Sequence, residues 1–344
     1  MRLLVISNNP DRASFRQRVQ VYREILRGLG IDCEIAQLPS GFAARARLFR
    51  KAEQYDGVFL HKKKLGFFAA ACLRRHARKI IYNYDDAIMF DEKRPGESAW
   101  WRGIAFARTV KLADMVLVGS PYLGDFARPY NANVQILPIG LTTQDYRPQE
   151  APNPDGKVRL VWIGSVSTLK YLRQIEGVLE EIGRRHKNVV LRIICDDFFD
   201  VSNLPMEKRR WSAQSRAVDL ATSDIGLAPL PDDPFTRGKC SFKVLEYSAS
   251  GLPVVASPIG TNAQYVQEGI TGFLCVTPEE WVEKIGHLIE NPQMRNAMGR
   301  AGVERAKQFD VQQIGRKFSE LIGSCLRGEP HSTSNRTNES IRVI

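Results

Sequence analysis

Apolar positions along the chain fall into two alternating kinds of block. Short, β-branched runs of consecutive apolar residues alternate with longer stretches in which apolar residues recur three and four apart. Such alternation predicts βαβ units and a parallel sheet. The first run is residues 3–7 (LLVIS). After a polar loop, Tyr22, Ile25, Leu26 and Leu29 fall at helical spacing, and Gly28 and Gly30 stop that helix before a strand at 33–36. Further strands are predicted at 57–60, 79–84, 115–119 and 134–137. Residues 147–156 (RPQEAPNPDG) carry three prolines in ten and read as a linker. A second series follows at 158–164, 189–195, 225–230, 253–257 and 272–276.

The pattern gives an α/β chain with two doubly wound domains. The expected organisation is an N-terminal domain over 1–150, a C-terminal domain over 151–310, a closing helix over 311–326 that returns to the first domain, and a disordered polar tail over 327–344. In doubly wound sheets ligands bind outside the carboxyl ends of the strands, so the loops at those ends are where chemistry is expected.

Composition narrows the class. The chain has 344 residues and is 43% hydrophobic, which suits two packed cores and excludes wholesale disorder. The longest apolar run, residues 65–73, is well short of the ~20 residues of a membrane-spanning helix. The start of the chain lacks the pattern of a secretion signal, so a cytoplasmic protein is expected. The six cysteines are widely spaced with no CxxC pair, and the five histidines show no HExxH or HxH spacing, so neither a disulfide framework nor a protein-bound metal is expected.

Charge adds a candidate partner. The net charge of +11 is concentrated in residues 1–150, with 24 Lys+Arg against 15 Asp+Glu. Cations cluster at Arg45, Arg47, Arg50 and Lys51, at Lys62–Lys64, and at Arg74, Arg75, Arg78 and Lys79, among Phe42, Leu48, Phe49, Phe67 and Phe68. Cations beside apolar groups suit an anionic membrane surface; for any single cluster a solvated face is the better reading, and three clusters on one domain bring the two level. Nucleic acid ranks lower as a partner, because no zinc-finger, RNP or basic-zipper pattern accompanies the charge.

The densest chemical signal lies at residues 224–260. There a strand runs into a Pro/Asp/Gly loop, then a helix carrying Lys243, Glu246 and Tyr247 that stops at Gly251-Leu252-Pro253. A helix N-terminus at the carboxyl edge of a parallel sheet favours phosphate, Lys239 and Lys243 add charge there, and Glu246 can accept hydrogen bonds from sugar hydroxyls. As a plain surface residue, Glu246 would instead pair with Lys243.

The segment KCSFKVLEYSASGLPVVASPIGTNAQYVQEGITGFL resembles the donor-site signature of GT-B glycosyltransferases of the family-4 type. Residues 161–172 resemble that family's first C-domain strand and phosphate loop, residues 113–146 resemble the close of its N-domain, and the likeness extends through most of 1–325. The resemblance implies a GT-B architecture, two Rossmann-like domains facing across a cleft. It also implies a transferase that uses a nucleotide-diphosphate sugar as co-substrate, without a bound cofactor or metal and with retention at the anomeric carbon. The acceptor would be a glycan or lipid-linked molecule in bacterial cell-surface polysaccharide or lipopolysaccharide synthesis.

By the same resemblance Glu246 is the donor-ribose carboxylate and Lys170 the cation on the diphosphate. Gly164, Ser165, Arg237, Gly238, Lys239, Cys240, Ser241, Phe242 and Lys243 are the neighbouring donor-binding positions. Two positions depart from the family pattern: Gly238 stands where a second Glu is usual, and Ser165 where an Arg accompanies the loop lysine, which leaves Lys239, Arg237 or Arg173 as alternative holders of the diphosphate. A Thr-Arg-Gly-Lys-Cys loop of this kind occurs in a subgroup of the family. In the N-terminal half, Ser14, Arg16 and Arg18 open the first helix and are candidates for an anionic group; a cap serine with solvated arginines accounts for them equally. Asp85 and Asp86 follow a strand at its ligand-binding end and are candidates for orienting an acceptor hydroxyl or taking its proton, with turn formation the alternative. Two other readings stand beside the transferase: an epimerase of the same fold, whose acid/base histidines are missing, and a non-catalytic nucleotide-sugar-binding protein, which Gly238 favours.

Overall fold

The computed structural model describes residues 1–94, 100–148 and 153–329. Residues 149–152 of the expected linker and 330–344 of the expected tail lie outside these. The first half forms a parallel sheet of β1 (Arg2–Ser7), β2 (Asp32–Gln37), β3 (Gly57–His61), β4 (Ile80–Tyr84), β5 (Met115–Val118) and β6 (Val134–Ile136), in the order β2-β1-β3-β4-β5-β6. The second half forms another from β7 (Val158–Ile163), β8 (Val189–Ile194), β9 (Met206–Arg209), β10 (Ile225–Ala228), β11 (Val254–Ala256) and β12 (Gly272–Leu274), in the order β12-β11-β10-β7-β8-β9. Helices alternate with strands, giving the doubly wound α/β class in both halves.

Eleven of these strands are those the apolar runs predict. The edge strand β9 (MEKR) is the exception, because it pairs on one side only and carries charge where an inner strand would carry Val or Ile. The first helix is also broken, into Ala13–Arg18 and Arg23–Gly28 with a 3-10 turn at Gln20–Tyr22 between them.

In each sheet the chain reverses direction of growth once, between β1 and β3 and between β7 and β10. Side chains cannot fill the crevice that opens outside the carboxyl ends there, because the helices depart to opposite faces. Both crevices open into the same space.

The closing helix, Val311–Arg327, lies on the first sheet although it follows the second in sequence. Its Val311, Ile314, Phe318, Ile322 and Cys325 recur three and four apart and pack against Leu3, Val5, Phe59, Ile81, Met115 and Leu117. Burial of each large apolar side chain contributes about 1.5–3 kcal/mol, so this stripe is a substantial tie between the halves. Asp310 caps the helix at Gln312 N (2.8 Å) and accepts from Thr143 N (3.3 Å) at the crossing point. Gly328 ends it in the left-handed region, φ +73°.

Candidate active site

A cavity of about 900 Å³ lies where the two crevices meet. On the N-terminal side, β3 ends at His61, and Lys62 turns away with φ +55°, a conformation rare outside glycine. That turn aims its ammonium at the two carboxylates following β4. Lys62 Nζ pairs with Asp85 at 2.8 Å, bonds Asp86, and lies 3.3 Å from Ser14 Oγ. Ser14 Oγ donates to Asp85 (2.9 Å) and faces His61 Nε2 at 3.2 Å. Burial alone would raise both carboxyl groups, but Lys62 outweighs it, joined by His61 and Arg18 at Asp85 and by Lys239 at Asp86. Both are held below the usual carboxylate range. Burial pushes the His61 imidazole down to about 4, so it is neutral at pH 7.

On the C-terminal side two helices point their N-termini at the cavity. One is Val166–Arg173, whose cap Ser165 forms a reciprocal capping box with Thr168 (Ser165 N to Thr168 Oγ1, 3.2 Å). Gly164 precedes it, and a Cβ there would lie 2.5 Å from the Trp162 ring. The other is Phe242–Ala249, entered through Ser241 at φ +42° and left through Gly251 at φ +76°. No side chain caps it. Lys243 sits in its first turn, 4.1 Å above the Trp162 ring.

One turn deeper is Glu246, only 6% exposed. It does not pair with Lys243. Its carboxylate accepts from Tyr146 Oη (2.8 Å) and lies 3.6 Å from Arg216 Nε. Desolvation pushes its pKa up, against the pull of Arg216, the Tyr146 hydrogen bond and Lys243.

Twelve of the sixteen sequence-predicted residues line the cavity: Ser14, Arg16, Asp85, Asp86, Gly164, Ser165, Lys239, Cys240, Ser241, Phe242, Lys243 and Glu246. Four do not. Arg18 is buried in the first domain, donating to Leu137 O at 2.8 Å. Arg237 is exposed and doubly bonded to Asp232 at 2.6 and 3.0 Å. Gly238 is packed against the opposite domain, where a Cβ would meet Ala87 Cβ at 2.6 Å. Lys170, its side chain about half exposed, lies 3.7 Å from Glu92 of the first domain.

The two halves also touch at the cavity floor. Lys239 Nζ lies 3.3 Å from Asp86, and Cys240 Sγ donates to Asp85 O at 3.1 Å. Arg16 on one wall faces the Trp211 ring on the other at 5.8 Å.

Sequence reasoning overlooked Lys62 as part of the site, reading it as a surface cation, and also missed Arg216, Tyr146 and Trp211. For Lys62 a signal existed, since it follows a strand end at the point where strand order reverses. Tyr146 ends the 113–146 segment that resembles the close of the family's N-domain, but nothing there marks it as a site residue, and Trp211 and Arg216 come from segments with no motif. The basic clusters also divide: Phe49 is a core residue, 1% exposed, Lys51 pairs with Glu34, and Arg74 pairs with Asp114.

The family described as Glycosyl transferases group 1 matches residues 238–305. A D-inositol 3-phosphate glycosyltransferase of Nocardioides sp. is 30% identical over 338 residues, covering 83% of this chain and 72% of that one. A protein of the same name from Corynebacterium diphtheriae is 23% identical over 250 residues, 64% of this chain but only 58% of its own length. Among solved structures, Anabaena HepE in complex with UDP and glucose shares the fold with a TM-score of 0.70 at 17% identity, over 94% of this chain and 100% of that one.

Proposed function

The chain belongs to the glycosyl transferases group 1 family, and from there we propose that it transfers a sugar from a nucleotide-diphosphate sugar to an acceptor hydroxyl, with retention at the anomeric carbon. The donor lies against the C-terminal wall, with its ribose hydroxyls bonded to Glu246 and its diphosphate before the two helix N-termini. Negative charge grows on that diphosphate as the bond to the sugar breaks. Fixed N–H dipoles aimed there stabilise the transition state more than the ground state. UDP, the nucleotide held by the HepE neighbour, is the first donor nucleotide to try.

The acceptor approaches from Ser14, Asp85 and Asp86. Carboxylates held below their usual range are weak bases. Their part is therefore to orient the acceptor hydroxyl, while the departing phosphate oxygen takes its proton on the same face of the sugar.

The acceptor we propose is a lipid-linked glycan of cell-surface polysaccharide or lipopolysaccharide synthesis, reached with the first domain resting on an anionic membrane. Phe42 (73% exposed), Phe67 (66%), Phe68 (73%) and Trp101 (67%) stand at the starts of helices Phe42–Lys51, Phe67–His76 and Trp100–Leu112. Those starts lie at the same edge of the sheet as the cavity, with Lys63 and Arg45 among them. Aromatics and cations together suit the headgroup layer. Among the described residues, no helix is long and apolar enough to cross a membrane.

The observation that carries the proposal is Glu246, a carboxylate buried at the wall of the cavity onto which both helix N-termini face. The test is calorimetric titration with UDP, GDP, ADP, CDP and dTDP, on the wild type and on Glu246→Ala. Selective binding of one diphosphate, weakened by the substitution, is expected. Binding of none refutes the donor site.

A further inference from the structure

Family resemblance puts the donor-diphosphate cation at Lys170, but the geometry points elsewhere. The Lys170 side chain does not line the cavity; its ammonium is 3.7 Å from Glu92 and 5.2 Å from the Tyr171 ring. The arginine that would accompany it is Ser165, whose hydroxyl is spent on Ser167 (3.1 Å) and Thr168 (3.3 Å). Of the four Lys and Arg side chains lining the cavity, three are engaged. Arg16 donates to Asp11 O at 2.5 Å, Arg216 lies 3.6 Å from both Asp145 and Glu246, and Lys239 is 3.3 Å from Asp86.

The fourth is Lys243. Among the described residues it makes no hydrogen bond or ion pair, and its ammonium rests 4.1 Å above Trp162, the ring that also walls Gly164. It thus stands in the first turn of an uncapped helix and beside the start of the second helix. Close by, Asn262 is 1% exposed and lines the same cavity. Its amide nitrogen donates to Ala228 O (3.1 Å) and Ser257 O (2.9 Å), which leaves Oδ1 without a partner. Buried polar atoms are rarely left unpaired in a finished site, and an acceptor oxygen buried in the cavity wall fits a ligand hydroxyl. A desolvated, unpaired ammonium between two helix N-termini fits a dianion.

We propose that Lys243, not Lys170, is the cation that binds the donor diphosphate and steadies it as it leaves, with Asn262 Oδ1 accepting from a donor hydroxyl beside it. This rests on the donor site proposed above. The aromatic ring keeps Lys243 in place while the cavity is empty, and the phosphate replaces that weak contact with charge-assisted hydrogen bonds.

The test titrates wild type, Lys243→Met, Lys243→Arg and Lys170→Met with the five diphosphates, and with the parent nucleoside of whichever binds. Lys243→Met is expected to weaken diphosphate binding about 10- to 100-fold, the size of one charged hydrogen bond. Nucleoside binding should stay within about twofold of wild type, which also shows that the variant is folded. Lys243→Arg should recover part of the loss, and Lys170→Met should bind like wild type. Unchanged diphosphate binding in Lys243→Met, or the loss appearing in Lys170→Met instead, overturns the assignment while leaving the donor site standing. If the wild type binds no diphosphate, the donor site falls and the assignment with it.

Discussion

Gly238 offers the sharpest mutational test of how the two halves meet. Its α-carbon belongs to the loop before helix Phe242–Ala249, yet an added methyl group would point into the first domain. There it would lie 2.6 Å from Ala87 Cβ, 2.8 Å from Ala87 N and 2.9 Å from Leu123 Cδ2. Contacts under 3.0 Å with a backbone nitrogen cannot be relieved by a rotamer change, so Gly238→Ala must move one domain against the other. Overpacking of this kind costs about 1–3 kcal/mol. The strain falls where Cys240 reaches Asp85 O (3.1 Å), Lys239 reaches Asp86 (3.3 Å) and Tyr122 Oη reaches Pro234 O (2.9 Å), so separation relieves it by giving up those contacts. A closed arrangement disfavoured by that amount is populated about 5- to 150-fold less. The expected result is a kcat reduced by that range with diphosphate affinity nearly unchanged, since no cavity-lining group of the C-terminal wall is altered. Small-angle scattering should show a larger radius of gyration. Wild-type kcat and radius together would refute the argument.

Three other outcomes follow from the site. Lys62→Met strips the shared ammonium from Asp85 and Asp86, and breaking such a buried pair costs about 3–5 kcal/mol in chemical unfolding at pH 7. Both carboxyl groups are lowered in the folded state, so their contribution is present above the unfolded value of about 4 and is lost as pH falls below it. Wild type should therefore lose stability below about pH 4, and the variant should show a shallower loss there. Desolvation brings Lys243 down to about 7, with Lys239 lowering it further and Glu246 and Cys195 raising it. A bound phosphate restores its charge, so diphosphate binding at pH 8 should take up a proton, measurable as a dependence of calorimetric enthalpy on buffer ionisation. Replacing Phe67 and Phe68 by Ser should reduce flotation with anionic vesicles several-fold without changing thermal stability, because both rings are largely exposed; unchanged flotation would remove this face from the membrane proposal.

Local pattern is enough to place eleven strands, the closing helix and the loop before helix Phe242–Ala249, because apolar period and Gly/Pro stops act over a few residues and need no partner. The same locality explains why the helix that brings Glu246 to the cavity is legible: that helix, its Gly-Leu-Pro stop and the following strand are contiguous. What the sequence could not settle is which neighbour each charge finds. Lys62 reads as one of three consecutive surface lysines, yet a left-handed turn buries it against two carboxylates from another strand. Lys170 reads as a site cation, yet the charge it meets is Glu92 of the first domain, 3.7 Å away. Lys243 reads as the natural ion-pair partner of Glu246 three residues away, but Tyr146 and Arg216, from 100 and 30 residues upstream, take that carboxylate instead. Periodicity fixes the face of an element, whereas the energy of a charge depends on its distance to other charges and to water, and only the packing of the two sheets decides those distances.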